Sequence, residues 1–132
     1  MSENTLKELE AAAKSASVNS YSPYSGFAVG AAVLTEDGRV FTGTNVENAS
    51  FGLSNCAERT AIFKAVADGA RAIKLVVVYT PTSEPTTPCG ACRQVIREFG
   101  PDATCVCTCD SGQRIETTLQ DLLPDSFGPE NL

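Results

Sequence analysis

The sequence predicts an α/β fold, a mixed β-sheet with helices on both faces. Two observations carry that prediction. Residues 73–79, a helix-forming run and residues 103–109 make a strand–helix–strand unit, whose strands must run parallel with a right-handed crossover. Asp37-Gly38 sits between two apolar runs and marks a tight hairpin, whose strands must run antiparallel. A sheet containing both pairings is mixed, and the intervening helices must cover its apolar faces.

The elements follow in order. Residues 5–19 place Leu6, Leu9, Ala13 and Ala16 at helical spacing, an amphipathic helix ended by Tyr21-Ser22-Pro23-Tyr24. Residues 27–34 read as a buried strand, and 39–46 return beside it. Asn45 and Glu47 at its end lie two apart and so face the same side of an extended chain, either as a solvated strand end or as a clamp for hydroxyl groups. A polar loop at 48–55 leads to a helix over 56–67, capped by Ser54 or Asn55 and closed by Asp68-Gly69. Residues 73–79 are apolar enough for burial on both faces. Three prolines stiffen 80–88, and Pro88 hands over to a helix at 89–99 that Gly100-Pro101 ends. A strand at 103–109, a short one at 114–116 and a helix at 118–123 precede the tail, 124–132. Without repeats or low-complexity segments, residues 1–132 read as a single domain.

Composition narrows the function. The net charge is −6 and the ten basic residues are scattered, which argues against a nucleic-acid partner and for a small, weakly charged substrate. No apolar run approaches the roughly eighteen residues of a membrane span. The start, Met1-Ser2-Glu3-Asn4, carries acid where a signal peptide needs positive charge, so the expected location is the cytoplasm. In that compartment the six cysteines are expected as thiols rather than a disulfide framework. There is no histidine, so a bound metal must be held by thiolates or carboxylates.

Three cysteines have a pattern suited to that task. Cys89 and Cys92 stand three apart at a helix start, where one turn can present both sulfurs to one ion, and Cys56 supplies a third from another segment. Three protein ligands leave the fourth tetrahedral position of zinc open for water, an arrangement for hydrolysis. Glu58, two residues past Cys56, is the best-placed group to move that water's protons; without the cysteines it would be a glutamate stabilising a helix start. Three thiolates leave one surplus negative charge on the ion, and Arg59 is the nearest group able to offset it. Cys105, Cys107 and Cys109 alternate along a strand and are expected as core fillers.

Pro88-Cys89-Gly90-Ala91-Cys92, with Cys56-Ala57-Glu58 upstream, resembles the zinc nucleobase deaminases. Together with Asn45-Val46-Glu47-Asn48-Ala49, the continuations Arg59-Thr60-Ala61 and Arg93-Gln94 are similar to the small homotetrameric cytidine deaminases, over about residues 23–123 and weakly into Ser126-Phe127. The resemblance implies a three-layer α/β/α sandwich around a five-stranded mixed sheet, one zinc per subunit on Cys56, Cys89 and Cys92, and pyrimidine salvage from cytidine and 2'-deoxycytidine. It implies that Glu58 protonates N3 of cytosine and then passes a proton to the departing ammonia. Asn45 and Glu47 would hold the ribose 3'-hydroxyl, Phe27 would pack on the nucleoside, and the Ala57 backbone would orient the base. Phe127 would stack on the base from a neighbouring subunit of a homotetramer. Phe51 stands where relatives often carry a tyrosine that reaches an adjoining site, so the ring is kept without its hydroxyl. Three alternatives remain at this level: a deaminase of a nucleoside antibiotic such as blasticidin S, a structural module with a fourth sulfur on the metal, and a polynucleotide editor.

Overall fold

A computed structural model describes residues 2–132. Five strands, β1 (Gly30–Thr35), β2 (Val40–Thr44), β3 (Ile73–Tyr79), β4 (Thr104–Thr108) and β5 (Arg114–Thr118), form one sheet in the order β2-β1-β3-β4-β5. Four helices accompany them: α1 (Glu3–Ser17), α2 (Ala57–Ala67), α3 (Gly90–Phe99) and α4 (Leu119–Leu122). The expected pairings are both present. β1 and β2 run antiparallel around Gly38, whose φ of +90° suits the turn, and β3 and β4 run parallel, joined through α3. β1 also pairs antiparallel with β3, and β5 antiparallel with β4, so the sheet is mixed.

Alternation along the strands divides the core into two layers. Ala32, Leu75, Val77, Tyr79 and Val106 face Leu6, Leu9 and Ala13 of α1. Ala31, Val33, Val76, Val78 and Cys105 face the other way, onto Ala57, Ala61, Ile62 and Ala65 of α2 and Ile96 of α3. The sheet is thus the middle layer of an α/β/α sandwich. β3 is buried at every position but Lys74, as its apolar run requires. α2 approaches β2 closely because Gly43 has no side chain: a Cβ there would lie 2.6 Å from the Ala57 carbonyl and 3.0 Å from the Ala61 Cα. β5 is one edge of the sheet, with Arg114, Glu116 and Thr118 exposed in alternation. Arg114 also binds Glu10 and Glu3 of α1, at 2.5 and 3.3 Å.

Several boundaries differ from the sequence reading. α1 begins two residues early because Ser2 caps it, its hydroxyl accepting from the Thr5 N–H at 3.1 Å. β1 begins at Gly30 rather than Phe27. The Asn45 side chain takes the ladder's place, donating to the Phe27 carbonyl at 2.7 Å and accepting from the Val29 N–H at 3.0 Å. Neither Ser54 nor Asn55 caps α2; Cys56 occupies that position without a side-chain cap bond. The tail is tied to α3. Arg97 of α3 donates to the Ser126 hydroxyl at 2.8 Å, and Gln94 to the Phe127 carbonyl at 3.0 Å.

Candidate metal centre and active site

Two helix starts meet beside the end of β3. Cys56 precedes α2 and Cys89 precedes α3, both with extended backbone, while Cys92 lies in the first turn of α3. The Cys89 sulfur accepts from the Cys92 N–H at 3.5 Å, as a helix N-cap does. The sulfurs of Cys56 and Cys89 are 3.8 Å apart, those of Cys89 and Cys92 3.4 Å, and all three lie within 4.8 Å of one another. A tetrahedral zinc with bonds of about 2.3 Å needs sulfur–sulfur edges of about 3.8 Å, so the triangle fits that ion. Among the described residues this is the only cluster of three or more metal-ligating side chains. Cys105 and Cys107 are buried thiols of β4 and do not join it. Cys109 is buried as well, though it lies past the strand, its sulfur 3.2 Å from the Ser111 hydroxyl.

The sulfurs differ in charge. The hydrogen bond from the Cys92 thiol, then the guanidinium of Arg59, lower Cys56 to about 5 despite its burial. The same bond, followed by burial, pushes Cys92 upward, so the cluster keeps a proton on its most buried sulfur. Arg59 Nη2 donates to the Cys56 sulfur at 3.4 Å, while its buried Nε has no partner. Glu58 is 5% exposed, and loss of water raises its carboxyl above the usual range.

A cavity of about 220 Å³ opens beside the sulfurs, and Phe27, Asn45, Cys56, Ala57, Glu58 and Cys89 all line it. Val29, Val78, Thr80, Thr86 and Thr87 complete the wall and were not singled out from the sequence. Val78 is indistinguishable from its neighbours in a buried strand; Thr86 and Thr87 carried one signal, their place just before Pro88-Cys89. Glu47 does not line this cavity with Asn45 but a second concavity with Tyr24, Ser25, Phe51 and Ser54. Its carboxylate accepts from the N–H groups of Tyr24 at 2.9 Å and Ser25 at 3.1 Å, and from the Ser25 hydroxyl. The Ser25 hydroxyl bond is the main reason this carboxyl sits below its usual range. Phe51 stacks edge-on against Tyr24 with ring centres 5.9 Å apart. Phe51 and Phe127, 73% and 58% exposed, lie outside the cavity.

Comparison with known proteins agrees with this geometry. Residues 3–109 match the family described as the cytidine and deoxycytidylate deaminase zinc-binding region. A cytidine deaminase of Sporosarcina psychrophila is 48% identical over 128 residues, 96% of this chain and 94% of that one. One from Halalkalibacterium halodurans is 50% identical over 113 residues, 85% of this chain and 86% of the other. The crystal structure of a cytidine deaminase from Burkholderia pseudomallei superposes with a TM-score of 0.89 at 50% identity, covering 96% of this chain and 100% of that one.

Proposed function

Because this chain belongs to the cytidine and deoxycytidylate deaminase family, we propose how its residues divide the work of the reaction. The activity is the zinc-dependent hydrolytic deamination of cytidine and 2'-deoxycytidine, giving uridine or 2'-deoxyuridine and ammonia. Cys56, Cys89 and Cys92 hold the ion, and Arg59 offsets their surplus charge through the Cys56 sulfur. When bound, zinc supplies a Lewis acid that holds and acidifies the attacking water. The observation that carries the reading is Glu58: one nearly buried carboxyl, its proton affinity raised, in the same cavity as the sulfurs.

Glu58 takes a proton from the water as its oxygen bonds to C4 of cytosine, and delivers that proton to N3. It then takes the proton of the new hydroxyl and gives it to the amine, the C4–N bond breaks, and ammonia leaves. Product keeps the N3 proton and a C4 carbonyl, so one water is consumed and its two hydrogens are accounted for. A carboxyl kept dry and weakly acidic can both accept and donate at neutral pH.

Phe27 packs on the nucleoside and the Ala57 backbone orients the base, both from the wall of the cavity. Asn45 and Glu47 receive the ribose 3'-hydroxyl. Asn45 Nδ2 spends one hydrogen on the Phe27 carbonyl and keeps one to donate, and Glu47 remains an ionised acceptor. In a homotetramer, Phe51 and Phe127, exposed rings outside this cavity, complete a neighbouring subunit's site.

Glu58→Gln tests the assignment. The variant keeps one zinc per chain and loses cytidine turnover by at least about 10²–10⁴-fold. Full activity in the metal-loaded variant, followed by the fall in absorbance as cytidine becomes uridine, would refute it.

A further inference from the structure

We propose that Arg93 is a positioning residue for the metal centre: it fixes the loop that delivers Cys89 by tying that loop to the C-terminal segment. The proposal rests on the reading of Cys89 as a zinc ligand. Cys92 is built into α3 and Cys56 leans on Arg59, but Cys89 is the exposed sulfur of the three and ends a stretch, residues 80–89, that is neither helix nor strand. The N-cap bond from the Cys92 N–H holds its sulfur on the helix side, and the anchors of that stretch hold it on the loop side.

Arg93 lies one helical turn beyond Cys89, and its guanidinium reaches back over the loop. Nε donates to the Pro88 carbonyl at 2.7 Å, Nη2 to the Thr87 hydroxyl at 2.9 Å, and Nη1 to the Leu122 carbonyl of α4 at 2.8 Å. Three nitrogens thus hold three acceptors on two segments, which a planar fork can do and a single ammonium cannot. Pro88 is the residue before the ligand, and Thr87 shares the cavity wall with Cys89 and Glu58. No Arg93 nitrogen bonds a sulfur; it acts through the backbone that carries one. Such outer partners set metal affinity by holding the ligand where the ion needs it.

Arg93→Lys and Thr87→Val test this. Zinc transfer from the loaded proteins to a chromogenic chelator gives the release rate, and the cobalt-substituted proteins give the sulfur-to-metal charge-transfer spectrum. Arg93→Lys is expected to keep the parent's circular dichroism and metal stoichiometry, release zinc at least about 10-fold faster and show an altered cobalt spectrum; Thr87→Val falls between the two. A folded Arg93→Lys with parent-like release and spectrum overturns the proposal. Should that variant not fold, parent-like release from Thr87→Val overturns it instead. Cys89→Ser is measured alongside: loss of about a third of the charge-transfer intensity supports the ligand assignment on which the proposal rests. Unchanged intensity removes Cys89 from the ligand set and the proposal with it, a failure visible in that variant alone.

Discussion

At the scale of single residues, the sulfurs of the metal centre are unequal before any ion arrives. The bond between Cys56 and Cys92 holds Cys56 low and Cys92 high, so the pair keeps a proton toward Cys92. Thiolates bind metal and thiols do not, so loading must expel the Cys92 proton. Calorimetric titration with zinc at pH 7, in buffers of different protonation enthalpy, is expected to show at least one proton released per chain. Because protons are products of loading, affinity rises with pH and falls as the sulfurs are reprotonated. Zinc binding with no proton release would contradict this assignment. The three sulfurs and Glu58 were legible in the sequence because their chemistry is tied to spacing: a helix start, a turn of three, an acid two residues on. The Asn45 bonds to Phe27 and Val29, and the three bonds of Arg93, were not. Those residues act on backbone groups far along the chain, and no local pattern marks them.

At the scale of elements, Glu58 and Arg59 are placed by how closely α2 lies against β2. Gly43 makes that approach possible. Gly43→Ala is expected to push α2 outward, costing about 1–3 kcal/mol in chemical denaturation. It should also slow turnover of the folded, zinc-loaded enzyme, by up to about 100-fold if the reacting groups move by about 1 Å. Parent-like turnover would mean that Glu58 tolerates the shift. Periodicity and turn residues revealed all five strands and the four helices, because an apolar run or an Asp-Gly turn is a local instruction. The start of β1 was misplaced since a side chain from residue 45 replaces the neighbouring strand there. What anchors the tail has no local signal, because its partners, Arg97 and Gln94, lie some thirty residues earlier on α3.

At the scale of the molecule, the proposed tetramer has a consequence that one chain lacks. Phe127→Ala should impair a neighbour's site while leaving its own Glu58 intact, and Glu58→Gln the reverse. Mixing the two variants after dissociation and reassembly is expected to restore about a quarter of the parental sites. No recovery from mixed tetramers would place Phe127 within its own chain's site. How such an assembly can grow is limited by β5. Arg114, paired with Glu3 and Glu10 of α1, and Glu116 put opposite charges on one face of this edge strand, beside the backbone where a stray peptide would dock. Stripping water from those groups deters further strand addition there, so ladder-like fibril growth from that side is discouraged.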